Sequence, residues 1–283
     1  MLAAFVEPGD AKVGELIARH GAIETLCSER LLPLKLQQRK SDVTVESIQL
    51  ATQNAKAFWI TPDSELWPSQ LNDLEVLAPL GLWCLGNIEL LGTPLPAISM
   101  VGSRSSTQYG EHVAVELSAA LASNGMTVVS GGALGIDAAC HRGALAAQGS
   151  TIAILAGGVD VPYPKSNDTM FQRIKQNGLL VSESPPGAQS LRHRFLIRNR
   201  LIAAWGWGTV VIEAQIRSGA IATASHAAGL NRDVMAVPGP ITATSSEGCH
   251  QLIRDGAVLV SCAGDIVELI AGDLPRHAFG NSP

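Results

Sequence analysis

From Pro94 onward, short aliphatic or β-branched runs alternate with Ala-rich stretches whose apolar positions recur every three to four residues. The first pattern is that of strands and the second that of helices. Strands are predicted at Ala97–Val101, Met126–Ser130, Thr151–Leu155, Leu179–Ser182, Thr209–Ile212, Asp233–Val237 and Ala257–Val260. Between them helices are expected near Glu111–Ser123, Asp137–Gln148, Asp168–Gln176, Phe195–Ala204, Ala220–Gly229 and Gly248–Arg254, with a last one near Asp265–Ile270. Repeated βα units of this kind build a mostly parallel sheet covered on both faces, so the fold class is α/β, an extended Rossmann-like domain.

Residues 1 to about 60 read differently. Apolar spacing in Val13–His20 and again in Val43–Leu50 predicts a small helical module with no recognisable chemistry. Around Thr61–Pro68 the composition turns to Pro and acidic residues, the punctuation of a linker. The division expected is therefore a helical N-terminal domain over 1–65, the Rossmann-like domain over 66–275 and a tail over 276–283. There is no internal repeat.

Composition narrows the class. With 46% apolar, 16% charged and 4% aromatic residues, the interior must be built from Ala, Val, Ile and Leu, and the length suffices for one large and one small core. The first ten residues lack a basic region and reach Glu7, which argues against a secretory leader. No run approaches the roughly 20 apolar residues of a membrane span. Five cysteines without paired spacing fit a reducing, cytoplasmic setting and neither a disulfide framework nor a zinc knuckle.

The net charge is −5, yet from Pro185 to Arg232 six arginines face a single acid, Glu213. A local excess of this kind predicts an anionic ligand.

The strand-to-helix turns carry the candidate chemistry, because sheets of this class bind ligands beyond the carboxyl ends of their strands. After the first strand, Gly102 permits close approach of an anion, Ser103 offers a hydroxyl and Arg104 a forked cation. The structural alternative is a capped turn with a surface arginine. After the second strand, Ser130, Gly131 and Gly132 open a glycine-rich turn that ends at Asp137. It is neither a G-x-G-x-x-G fingerprint nor a Walker A loop. Its amides suit one phosphate of a chain, or the glycines serve tight packing. Asp137 is expected to orient this turn, with His141 bonded to it at i+4.

After the third strand, Tyr163 between two prolines offers a flat face for a base, with Lys165 beside it; a rigid surface turn is the alternative. The segment Leu191–Arg200 is the most informative. Arg192, Arg194, Arg198 and Arg200 surround Phe195, the combination that sequence-tolerant single-strand binding requires. On a helix, Arg194 and Arg198 share one face and Phe195 and Asn199 the adjacent one. A solvated basic face with Phe195 in the core is the competing reading. Trp205 and Trp207 are assigned to packing. Ser218 and Gly219 open a helix whose N-terminus suits a further phosphate, and Glu213 is read as a buried carboxylate bonding loop amides.

In order along the chain, Gly102-Ser-Arg104 with Tyr109-Gly110, Ser130–Asp137 with His141, Asp160 with Tyr163-Pro164 and Asn167, and Ser182–Pro185 form an ordered motif set. It continues with Phe195, Arg198-Asn-Arg200, Val211–Ala214, Ser218-Gly219 and Ala236–Gly239. This set resembles the bacterial DNA-processing protein A (DprA, or Smf) family over roughly Trp67–Val260. The resemblance implies a dimeric, non-enzymatic protein that holds single-stranded DNA without a cofactor or metal and helps load the recombinase RecA during natural transformation. It points to Arg104, Ser130, Gly131, Arg192, Phe195 and Arg198 as the DNA pocket, with Asn199 and Arg200 fixing the loop. Departures from the family pattern are His250 where Asn is usual, Trp205 in place of a smaller aliphatic, and nothing resembling the frequent C-terminal winged helix after about Asp273.

The main alternative is a LOG-type nucleotide phosphoribohydrolase. Its Pro-Gly-Gly-x-Gly-Thr-x-x-Glu motif is matched only loosely by Gly206–Glu213, which lacks Pro-Gly-Gly and spaces its Glu one residue too far. A dinucleotide-dependent oxidoreductase lacks both the fingerprint and a ribose-binding acid.

Overall fold

The computed structural model describes residues 1–28, 30–92 and 96–273; the predicted tail lies outside them. Among the described residues nine strands form one sheet: β1 Phe58–Ile60, β2 Leu82–Gly86, β3 Ala97–Val101, β4 Thr127–Ser130, β5 Thr151–Ile154, β6 Leu179–Ser182, β7 Gly208–Val211, β8 Asp233–Ala236 and β9 Val258–Leu259. Their order is β1-β2-β6-β5-β4-β3-β7-β8-β9. From β6 to β9 all neighbours are parallel.

The seven predicted strands are all present. Sequence reading missed the antiparallel edge, in which β2 pairs with β6 and β1 with β2. Phe58–Ile60, assigned from sequence to the helical module, is this edge strand, and its short Phe-Trp-Ile run has no period of its own to reveal it.

The alternation along each strand explains the two-sided core. Ile98 and Met100 project to one face and cluster with Ala114, Leu117 and Leu121 of the helix Gln108–Ser123 and with Ile136 and Cys140 of the helix Ile136–Ala146. Ala97 and Val101 project to the other, against Leu201, Ile202 and Trp205 of the helix Arg192–Trp205 and Ala220 and Ala224 of the helix Gly219–Gly229. Each fully buried aliphatic contributes about 1.5–3 kcal/mol relative to exposure. Ser99, among them, donates its hydroxyl to the Ile202 carbonyl at 2.5 Å.

The N-terminal helices have a small core of their own, centred on Leu2, Phe5, Val13, Leu32 and Leu36. Asp10 caps the helix Ala11–His20, and Thr44 and Ser47 form a capping box on the helix Val45–Asn54. The indole of Trp83 on β2 donates to Thr52 Oγ1 at 3.1 Å and ties that last helix to the sheet. Among the described residues no helix is long and apolar enough to cross a membrane.

The sheet positions a site. Chain order runs outward from β3 through β4, β5 and β6 on one side and resumes at β7 on the other, so β3 and β7 flank a topological switch point. Ligands bind beyond the carboxyl ends of strands at such a point.

Candidate nucleic-acid interface

A cleft of about 440 Å³ opens at that switch point. Its walls come from the turn after β3 (Gly102, Ser103, Arg104), the turn after β4 (Ala133, Asp137), the helix Arg192–Trp205 (Arg192, Phe195, Leu196, Arg198, Asn199) and the start of the helix Gly219–Gly229 (Ser218, Gly219, Thr223). Arg104 and Arg198, far apart in sequence, line the same cleft.

Phe195 sits at the mouth, partly buried. Arg104 lies over its ring with the guanidinium carbon 5.1 Å from the centroid, and Tyr163 meets it edge-on with centroids 5.8 Å apart. Tyr163 is 55% exposed, beside a cis Tyr163-Pro164 bond, and Lys165 follows it on the surface. Two rings and one guanidinium thus form a platform open to solvent, a geometry with which a flat π-system or an anion can be held.

The floor is built differently. Arg198 is buried and donates Nη1 to the carbonyls of Gly131 (2.8 Å) and Ile154. Any side chain at Gly131 would occupy the space of its guanidinium. Burial pulls the Arg198 pKa down to about 10, against the opposing pull of nearby Asp137. It therefore remains a fixed cation at neutral pH. Asp137 accepts from the amides of Gly131 (3.2 Å) and Ala133 (3.4 Å), and its own burial pushes its pKa up. The expected role of Asp137 in orienting the turn matches this geometry.

Second-layer contacts hold the turns. Glu213 accepts from the Thr107 amide (2.9 Å) and hydroxyl (2.5 Å), consistent with its reading as a buried structural carboxylate. Asn167 donates to the carbonyls of Gly132 and Ala133, and Asn199 to that of Gly219. Ser218 caps the helix Gly219–Gly229 and accepts from the Ile221 amide at 3.4 Å. That leaves a helix N-terminus facing the cleft.

Several predicted site residues lie elsewhere. Arg200 is 3% exposed, grips Glu183 with both terminal nitrogens (2.6 and 2.7 Å) and donates Nε to the Leu77 carbonyl. It is a structural ion pair outside the cleft. Arg194 lies one turn before Arg198 on the same side of the helix, as expected, but its side chain clasps Glu7 at 2.9 and 3.0 Å and does not line the cleft. Arg232 pairs with Asp73 at 2.7 Å, so the positive excess of the 185–232 segment is partly cancelled by acids distant in sequence. Ser130 is buried and donates to the Met100 carbonyl, Gly132 is buried against Phe171 with φ at 67°, and Gly102 abuts Ile136. At Ser130 and Gly132 the packing alternative accounts for the residue, while Gly102 packs on Ile136 and also lines the cleft.

His141 does not bond Asp137. Its Nδ1 lies 2.7 Å from the Thr151 hydroxyl, and burial pulls its pKa down to about 3, so the ring is neutral. Trp205 is buried in the core, whereas Trp207 is partly exposed just before β7. Sequence reading overlooked Gln215 and Leu196, which line the cleft; Leu196 is 60% exposed there. Only its place beside Phe195 on a predicted helix could have marked it.

The family described as DNA recombination-mediator protein A matches residues 58–271. A Mycobacterium tuberculosis protein provisionally named DNA processing protein DprA is 42% identical over 298 aligned positions, covering 97% of this chain and 76% of its own. The X-ray structure of DNA processing protein A (DprA) from Streptococcus pneumoniae is similar with a TM-score of 0.81 at 32% identity, covering 94% of each chain. A structure of DNA processing protein A from Helicobacter pylori, which addresses its single-stranded DNA binding mode, has a TM-score of 0.69 at 29% identity and covers 78% of this chain and 99% of that one. Matched over three-quarters of its length by the family and over nearly all of it by a relative, the chain belongs to the DNA recombination-mediator protein A family.

Proposed function

We propose that the switch-point cleft binds single-stranded DNA without regard to sequence, with bases on the Phe195–Tyr163 platform and phosphates at Arg104, Arg192, the fixed cation Arg198 and the helix N-terminus at Gly219. The observation that carries this reading is the convergence of Arg104, from the turn after β3, on the ring of Phe195, from a distant helix. Aromatic stacking contributes about 1–3 kcal/mol per base and tolerates any sequence. A duplex keeps its bases stacked inside and offers the platform nothing.

The reading is one of binding rather than catalysis. Both oxygens of Glu213 are taken up by Thr107, and Asp137 is taken up by loop amides. Asp137 is the one carboxylate among the described residues lining the cleft, and a single carboxylate does not make an acid–base pair. The description of the family as a recombination mediator supports the further assignment that this chain, as a homodimer in the cytoplasm, loads RecA on incoming strands during transformation. The single-stranded DNA named for the Helicobacter pylori relative supports the ligand class.

Mobility shifts with single- and double-stranded oligonucleotides of equal length, across a salt series, test the ligand. Preference for single strands with a strong salt dependence is expected; equal affinity for both forms sinks the platform. Transfer of RecA onto strands coated with single-strand-binding protein, with and without this chain, tests the loading step.

A further inference from the structure

The helix Arg192–Trp205 starts in an unfavourable way. Its N-cap, Leu191, supplies no side-chain cap, its first turn holds no acid, and that turn carries Arg192, His193 and Arg194. Cations at the positive end of a helix dipole weaken that end. Yet this first turn and the next present Arg192 and Phe195 to the cleft.

The missing negative charge comes from the N-terminal segment. The carboxylate of Glu7 accepts from Arg194 Nε at 2.9 Å and Nη2 at 3.0 Å, and stands 3.3 Å from His193 Nε2 and 3.3 Å from Arg39 Nη1. Two residues on, Gly9 has φ at 68°, and a Cβ built on it would lie 3.0 Å from Ile197 and 3.2 Å from Arg200 Nε. The segment therefore lies along the helix.

At about 100° per residue, His193, Arg194, Ile197 and Arg200 occupy one face of this helix. Arg192, Phe195, Arg198 and Asn199 occupy the adjoining one, with Arg198 only about 40° from Arg194, and it is these that line the cleft. One face is clamped by Glu7-Pro8-Gly9 while the other meets the ligand.

We infer that Glu7 is a positioning residue for polynucleotide binding: by holding Arg194 and offsetting part of the positive charge of the first turn, it sets Arg192 and Phe195 in place and couples the N-terminal helical module to the cleft. This rests on the reading of the cleft as a single-strand site.

The sign of the effect separates positioning from simple electrostatics. Replacing Glu7 by Gln removes a negative charge near the cleft, which by itself attracts DNA. A positioning role predicts the reverse. Binding of a fluorescein-labelled 15-residue oligothymidylate to the full chain, followed by anisotropy, is expected to weaken roughly three- to tenfold for Glu7→Gln with the slope of log K against log salt unchanged. Arg194→Glu alone should weaken binding similarly, and the exchanged pair Glu7→Arg with Arg194→Glu should restore it to within about twofold. Hydrogen exchange at the amides of residues 192–196 is expected to quicken in Glu7→Gln while the strands stay protected. That readout is taken on the folded fraction, so it survives a loss of stability. Unchanged or tighter binding by Glu7→Gln, or failure of the exchanged pair to recover, overturns the inference. If the unaltered chain ignores the oligonucleotide, the reading of the cleft falls instead.

Discussion

Arg104 lies over the face of Phe195 with its guanidinium carbon 5.1 Å from the ring centre, and the two reach that contact from opposite walls of one cleft. The cation is exposed and so is the outer side of the ring's neighbour, Tyr163. What one holds by charge, the others hold by surface, and the two contributions are separable by experiment.

Arg104→Ala should weaken binding to oligonucleotides of any sequence. It should also reduce the slope of log K against log salt by about one, as expected for one lost phosphate contact. Because the side chain is exposed, the melting temperature should stay within the small range of surface substitutions. Titrations at several salt concentrations decide it; an unchanged slope removes Arg104 from the phosphate path.

Phe195→Ala should lose roughly 1–3 kcal/mol of binding with the salt slope intact, since stacking releases no counterion. The ring is only partly buried, so unfolding in urea should report a modest loss of stability. A collapse of the fold would return Phe195 to the core.

Arg198 and Arg200 should behave in opposite ways despite adjacent positions in one motif. Arg200→Ala leaves Glu183 buried and unpaired and is expected to destabilise by about 3–5 kcal/mol, with the folded fraction still binding DNA. Arg198→Lys should fold more nearly normally while binding poorly, because an ammonium that meets the Gly131 and Ile154 carbonyls, as Nη1 does, has no second forked nitrogen to offer a phosphate. Denaturation curves set beside affinity per folded molecule separate the two. If Arg200→Ala abolishes binding without destabilising, the structural assignment of that residue is wrong.

Acid should destabilise the protein in two steps. His141 is held neutral, its pKa pulled from 6.5 to about 3 by burial and by Arg198. The unfolded chain therefore binds the extra proton first, so stability is full above pH 6.5 and falls as pH drops toward 3, by up to about 1.4 kcal/mol per pH unit. Glu7 is depressed from 4.5 to about 2, chiefly by its hydrogen bond with Arg194, so its contribution is present above pH 4.5 and lost between there and 2. His141→Gln should flatten the dependence between pH 6.5 and 4.5 relative to the unaltered chain. Identical profiles for both proteins in that window would mean that the ring is protonated in place.

The centre of the parallel sheet was legible because each strand from β3 to β7 is a short run bounded by Gly or polar turns and buried on both faces. β1 and β2 were not, since the edge rests on a tilted contact of Trp59 with Trp83, ring centroids 4.2 Å apart, rather than on any repeating pattern. The cleft was legible where the chemistry is unusual for the chain, as with Phe195 among arginines in a sequence poor in aromatics. It was misread where a partner decides the role. Nothing near Arg194 announces Glu7, and nothing near Arg200 announces Glu183 as its own acid rather than a phosphate. His141 sits at the spacing that favours Asp137, yet the helix turns that ring inward toward Thr151 on the sheet.

The absent methyl group at Gly131 makes room for a guanidinium whose Nη1 is already bonded to two main-chain carbonyls. The two positions are therefore interlocked: alanine at 131 is admissible only together with a shorter residue at 198. Among descendants of this sequence a side chain at 131 should appear only where 198 is shorter, and an engineered library that varies 131 alone should return only glycine.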